Sequence, residues 1–242
     1  MHQFRNKPRE LRLKEIIICQ SIVGLFILII TVYLIIFGFG YKIDLKNMKI
    51  IHTGIIYLAY TPKNSEVFIN GELKNSGSPF DIILLPNSYF LEIKQNGYNT
   101  WSQSINVVAD KVASIKNIVL FKQNPEISLI TDTGLIASID APYDTRVKNP
   151  VGDLTSNGYE IWADDNLVTR FSKQISNVIW YPGMEYIAFQ QDKEIRIIDK
   201  GGKNDIVLAE LNSAEPTKFI FSWDGSSLLY RDGAEYKRAQ IN

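Results

Sequence analysis

The chain has 242 residues, 45% hydrophobic and 21% charged, an ordinary globular composition with room for one or two domains. Its 26 basic and 26 acidic residues cancel, so no global basic excess points to nucleic acid. Cys19 is the one cysteine, and His2 and His52 are the only histidines. This excludes an intrachain disulfide, Cys-rich zinc sites and, beyond residue 52, catalysis built on imidazole or thiol.

The charge is unevenly placed. Residues 1–15 carry Arg5, Lys7, Arg9, Arg12 and Lys14 against Glu10 and Glu15. Residues 16–37 then hold no charge, and the uncharged stretch continues to Tyr41. At about 1.5 Å per residue such a helix is ~33 Å long, enough for a hydrocarbon core of about 30 Å. The sequence therefore predicts a transmembrane helix over residues 16–41, in contact with the lipid bilayer. A cleaved signal peptide has a shorter apolar stretch and a small-x-small exit, and a soluble core helix keeps a polar face. Five basic residues before the span against Lys42, Lys46 and Lys49 after it predict a cytoplasmic tail over 1–15 and an extracytoplasmic body. Cys19 reads as a small apolar residue of the span or as an acylation site.

After a short linker over residues 42–52 the period changes. Ile55-Ile56-Tyr57-Leu58-Ala59-Tyr60, Glu66-Val67-Phe68-Ile69-Asn70 and Tyr89-Phe90-Leu91-Glu92-Ile93-Lys94 are β-branched, aromatic and strand-like. Between them stand Thr61-Pro62, Asn70-Gly71, Gly77-Ser78-Pro79, Leu85-Pro86-Asn87 and Asn96-Gly97-Tyr98, all turn signals. Residues 100–108 and 112–121 complete about six short strands, the pattern of a small sandwich. This order of motifs, with Trp101 at its end, resembles the PEGA domain, a small all-β surface module of bacterial envelope proteins. The resemblance spans 53–122 and implies an extracytoplasmic β-sandwich without catalytic residues. The four positions that name the family read Pro62-Lys63-Asn64-Ser65, and Asn64 can supply the left-handed backbone of a Gly. Gly97-Tyr98 with Trp101 reads either as an aromatic platform for glycan or peptide or as core packing.

Residues 123–242 contain a repeat. Val178-Ile179-Trp180-Tyr181-Pro182-Gly183-Met184-Glu185-Tyr186-Ile187-Ala188-Phe189 aligns with Phe219-Ile220-Phe221-Ser222-Trp223-Asp224-Gly225-Ser226-Ser227-Leu228-Leu229-Tyr230 at an offset of 41 residues. A weaker copy, Asn157-Gly158-Tyr159-Glu160-Ile161-Trp162, matches the strand beginning at Glu194. The units resemble TolB- and WD-type β-propeller repeats, with Ser222-Trp223-Asp224-Gly225 in place of Ser-Pro-Asp-Gly. About three units fit, whereas a closed ring takes typically about 4–8 blades. The expectation is an incomplete β-propeller: a truncated form, an open array with an uncovered last blade lacking its fourth strand, or blades completed by another chain. Self-association through these repeats follows from the open end.

No catalytic, cofactor-binding or metal-ligating residue is assigned, and no cofactor is expected. Asp164, Asp165, Asp224 and Asp232 lie in turn-like polar stretches, and Asp164-Asp165-Asn166 lacks the ligand spacing of a calcium loop. The expected protein is an all-β ectodomain on one N-terminal transmembrane α-helix, a binding or scaffolding protein of the cell envelope rather than an enzyme. Its partner is an envelope protein or a glycan, not nucleic acid. The alternative is a carbohydrate-active enzyme working through carboxylates at the incomplete propeller.

Overall fold

The computed structural model describes residues 9–38, 40–44, 49–141 and 154–242. Contacts divide the chain into one unit of residues 1–56, 82–87 and 106–113 and another of 57–81, 88–105 and 114–242.

The first unit opens with helix α1, Arg9–Gly38. Its segment Ile16–Gly38 is long and apolar enough to cross a membrane, and none of it is buried within the chain. Thr31 satisfies its hydroxyl inside the helix, donating to the Ile27 carbonyl at 2.9 Å. The helix ends at Gly38, three residues short of the expected 41, because the chain turns at Gly40 (φ +76°) and Tyr41 already belongs to a strand. The expected linker is a hairpin: β1, Tyr41–Asp44, pairs antiparallel with β2, Lys49–His52. Thr53 secures it, its N–H (3.0 Å) and its hydroxyl (2.5 Å) both donating to the Gly40 carbonyl.

Seven strands follow: β3 (Gly54–Thr61), β4 (Glu66–Ile69), β5 (Glu72–Ser76), β6 (Phe80–Leu84), β7 (Asn87–Lys94), β8 (Trp101–Val107) and β9 (Val112–Val119). They form two sheets, in the orders β6-β3-β9 and β5-β4-β7-β8. Period-2 alternation buries Ile56, Leu58 and Tyr60 of β3, Val67 and Ile69 of β4, and Leu91 and Ile93 of β7. Asn70 (φ 51°) and Gly71 (φ 81°) make the expected tight hairpin turn between β4 and β5. Asn64 is not left-handed. The Ser65 hydroxyl closes that turn instead, donating to the Pro62 carbonyl at 2.7 Å.

Beyond residue 122, within the second unit, come β10 (Glu126–Leu129), helix α2 (Thr133–Asp140), β11 (Leu154–Ser156), β12 (Glu160–Ala163) and β13 (Asn166–Arg170). Then follow β14 (Ile175–Trp180), β15 (Tyr186–Gln191), β16 (Glu194–Asp199), β17 (Ile206–Glu210), β18 (Phe219–Phe221), β19 (Ser227–Asp232) and β20 (Glu235–Gln240). The 41-residue offset carries β15 onto β19 and β16 onto β20, end to end. Among the described residues they form three sheets, β11-β12-β13, β14-β15-β16-β17 and β10-β20-β19-β18.

These sheets do not close into a ring, and the propeller expectation is corrected in two respects. The last sheet has its fourth strand, because β10 from upstream pairs with β20 (Glu126↔Gln240 to Leu129↔Lys237). Its outer face is also covered. Ile139 of α2 packs on Ile130 and Leu229, with Leu135, Ile136, Ile220 and Tyr236 around them. Asp132 caps α2, accepting from the Leu135 N–H at 2.9 Å. The expectation of self-association rests on a missing strand and a bare final face; the strand is present and α2 packs on one face, while Ile127 and Leu129 of β10 stay exposed.

The sandwich strands of the second unit and the repeats share one core. Phe121, fully buried, meets Tyr181 (5.4 Å) and Tyr186 (5.3 Å) edge-on, among Ala188, Leu228 and Tyr230. The Tyr186 hydroxyl accepts from the Val119 N–H (3.0 Å) and donates to the Val119 carbonyl (3.2 Å), pairing an exposed strand edge with a side chain. Asn204 does the same at Ser102, accepting from its N–H (3.0 Å) and donating to its carbonyl (3.1 Å).

Candidate functional site

The turn between β7 and β8 builds one side of a cleft. Gly97 (φ 81°) lets the Tyr98 N–H return to the Gln95 carbonyl at 3.1 Å, a tight turn that needs a left-handed third residue. The turn is braced from both sides. The Gln123 N–H donates to the Gly97 carbonyl (2.9 Å), and the Asn99 N–H donates to the Phe121 carbonyl (2.8 Å). The opposite wall comes from the turn at Asn64 and the start of β4, where Glu66 stands in register with Lys94. The cleft is open to solvent and has a volume of about 530 Å³.

The wall chemistry is neutral and amide-rich. Asn64, Gln95, Asn96 and Gln123 all line the cleft, and none of their carboxamides has a hydrogen-bond partner among the described residues. The Tyr98 and Thr100 hydroxyls likewise have no hydrogen-bond partner among the described residues. Glu66 and Lys94 cancel in formal charge, and Lys94 is committed to Glu92 at 2.9 Å and to the face of Phe68.

The structure separates the pair Tyr98 and Trp101. Trp101 is buried in the core of β8, whereas Tyr98 is half-buried on the cleft wall. Asp164 and Asp165 are the two left-handed residues of the β12–β13 hairpin turn, and Asp164 pairs with Lys200 at 3.2 Å. Asp224 holds its own turn together, accepting from the Ser222 hydroxyl (2.7 Å) and the Ser226 N–H (3.0 Å), which lower its pKa. Its neighbour Trp223 is 98% exposed. Cys19 is exposed on α1.

Asp232 is the exception to the expectation of solvated turns. It is 5% exposed. It accepts from the Asn212 N–H (2.9 Å), the Asn212 carboxamide (2.7 Å) and Lys237 (2.8 Å). Burial pushes its pKa up, and Lys237 with the Asn212 N–H more than offsets that, leaving it below the usual carboxylate range. The network joins the β17–β18 loop to the β19–β20 hairpin. Sequence reasoning missed it because Asn212 is 20 residues away in a loop without a pattern.

A second cleft, of about 540 Å³, lies beside Asp232 and the end of α2. Its cations are already used: Lys218 donates to the Asp140 and Ala141 carbonyls at the C-terminus of α2, and Arg231 donates to the Gly233 carbonyl and stacks on Tyr236.

Comparison with protein families matches residues 53–121 to the PEGA domain, which points to an extracellular or envelope-associated role. Comparison with curated proteins finds no match. The family match leaves the helix α1 and the repeats outside it.

Proposed function

We propose that the chain is a single-pass membrane protein with residues 1–15 in the cytoplasm, and that its β-structured body binds or scaffolds components of the envelope outside. The observation that carries this reading is α1: Ile16–Gly38 is uncharged, strongly apolar and not buried within the chain, and the PEGA match begins fifteen residues beyond it. The five-to-three Lys/Arg bias across the span supports the orientation. Glu72, Glu160, Asp224 and Asp232 are all shifted downward by their donor partners, so these four do not supply the protonated general acid that a glycosidase needs.

Alkaline carbonate extraction of membranes, followed by protease treatment of intact cells, tests the reading. The chain should stay in the membrane pellet and lose its body to external protease. Release by carbonate, or a body resistant until cells are lysed, contradicts it.

A further inference from the structure

We infer that the cleft between the Asn64 turn and the Tyr98 turn is a binding site for a neutral oligosaccharide. The inference deepens the reading of the chain as an envelope-binding protein and rests on it for the setting in which such a ligand is met. Four carboxamides with open donors and acceptors, from Asn64, Gln95, Asn96 and Gln123, face a volume of about 530 Å³. Each offers an adjacent acceptor and donor, the complement of a vicinal diol or an acetamido group. Tyr98 adds a ring wall and a free hydroxyl, an apolar face with a polar rim of the kind that packs on the C–H face of a pyranose.

Other ligand classes fit less well. Lys94 is the single cation of the wall and is paired with Glu92, so a polyanion finds no complementary charge. An extended peptide takes its specificity from apolar pockets for alternate side chains, and this wall has none. The site is also preorganised. The Gln95–Tyr98 turn is fixed by its own hydrogen bond, by the Gln123 N–H on the Gly97 carbonyl and by the Asn99 N–H on the Phe121 carbonyl, so little backbone ordering opposes binding.

The test uses the full chain in lipid nanodiscs, since sugar-headed detergents would occupy the site. Saturation-transfer NMR and calorimetry are run with the neutral oligomers cellohexaose, maltohexaose and chitohexaose. Polygalacturonate oligomers and an unstructured Gly/Ser/Leu peptide serve as comparisons. At least one neutral oligomer should bind, with affinity reduced about tenfold or more by Tyr98→Ala and by Gln123→Ala and unchanged by Trp223→Ala. Asn64→Ala, on an exposed turn, carries the test should Tyr98→Ala fail to fold. Three results overturn the inference: no neutral oligomer bound by the folded chain, binding untouched by every cleft variant, or preference for the anionic oligomer or the peptide. Membrane position is read separately by extraction and protease, so failure here leaves that reading standing.

Discussion

Two tyrosine-to-phenylalanine substitutions, each removing one buried hydroxyl, should act in opposite directions. The Tyr186 hydroxyl pairs with both the N–H and the carbonyl of Val119, so Tyr186→Phe leaves two part-buried groups of an open strand edge without that partner while the ring keeps its contact with Phe121. At roughly 0.5–1.5 kcal/mol per hydrogen bond, with the desolvation of the orphaned groups added, the loss should be about 2 kcal/mol. Tyr230 is fully buried and its hydroxyl has no partner among the described residues. Tyr230→Phe removes an unsatisfied polar atom and should leave stability unchanged or raise it by about 1 kcal/mol. Urea titration of the full chain in nanodiscs, followed by tryptophan fluorescence, is the assay. With a slope near 2 kcal/mol per molar, Tyr186→Phe should lower the midpoint by about 1 M. Equal midpoints for the two variants, or a larger loss for Tyr230→Phe, would refute the reasoning that Tyr186 fastens the sandwich edge to the repeats.

Other outcomes follow from the same contacts. Lys237→Met removes the cation from a carboxylate that is 5% exposed and should destabilise by about 3 kcal/mol in the same titration, whereas Lys74→Met, at an exposed pair, should change little. Ile139→Ala should cost about 2–4 kcal/mol, because Ile139 is the fully buried side chain of α2 against Ile130 and Leu229. Ile139→Asp should go further and make the chain self-associate in light scattering, by freeing the face that α2 covers. Burial raises the pKa of Tyr60, Tyr181 (to about 12), Tyr186 and Tyr230 above the unfolded value of about 10. The stability these groups confer is complete below pH 10 and lost as pH rises through the raised values, so the midpoint should fall above about pH 10 and fall less in Tyr186→Phe. Gly225→Ala should destabilise the Ser222–Ser226 turn, since a Cβ there would overlap the Tyr181 ring (2.6 Å to Cζ) at φ +72°.

The legible part of the fold was whatever has a period. The apolar run of α1, the alternation in β3 and β7 and the Asn70-Gly71 turn are local signals, and the 41-residue offset reproduces the bounds of β15, β16, β19 and β20. The misses share a cause. β5, Glu-Leu-Lys-Asn-Ser, is an edge strand whose polar residues show no buried face. Helix α2 is too short for its apolar residues Leu135, Ile136 and Ile139 to establish a helical period, although Asp132 was a readable N-cap. The return of β10 to complete the last sheet pairs residues more than a hundred positions apart, and no local pattern specifies it. At the candidate site, the sequence flagged Tyr98 together with Trp101, and burial divides them. The amides of Asn64 and Gln123 come from distant segments, which line one cleft because β4 pairs with β7 and residues 121–123 bond to the turn at Gly97 and Tyr98.

The most direct test of a body displayed outside the membrane uses Trp223, whose side chain is 98% exposed at the tip of a turn fixed by Ser222 and Asp224. In a Cys19→Ala background, Trp223→Cys should be labelled by a membrane-impermeant maleimide added to intact cells, to the same extent as after lysis. Labelling of Trp223→Cys only in lysed cells would place the body on the inner side and contradict the account.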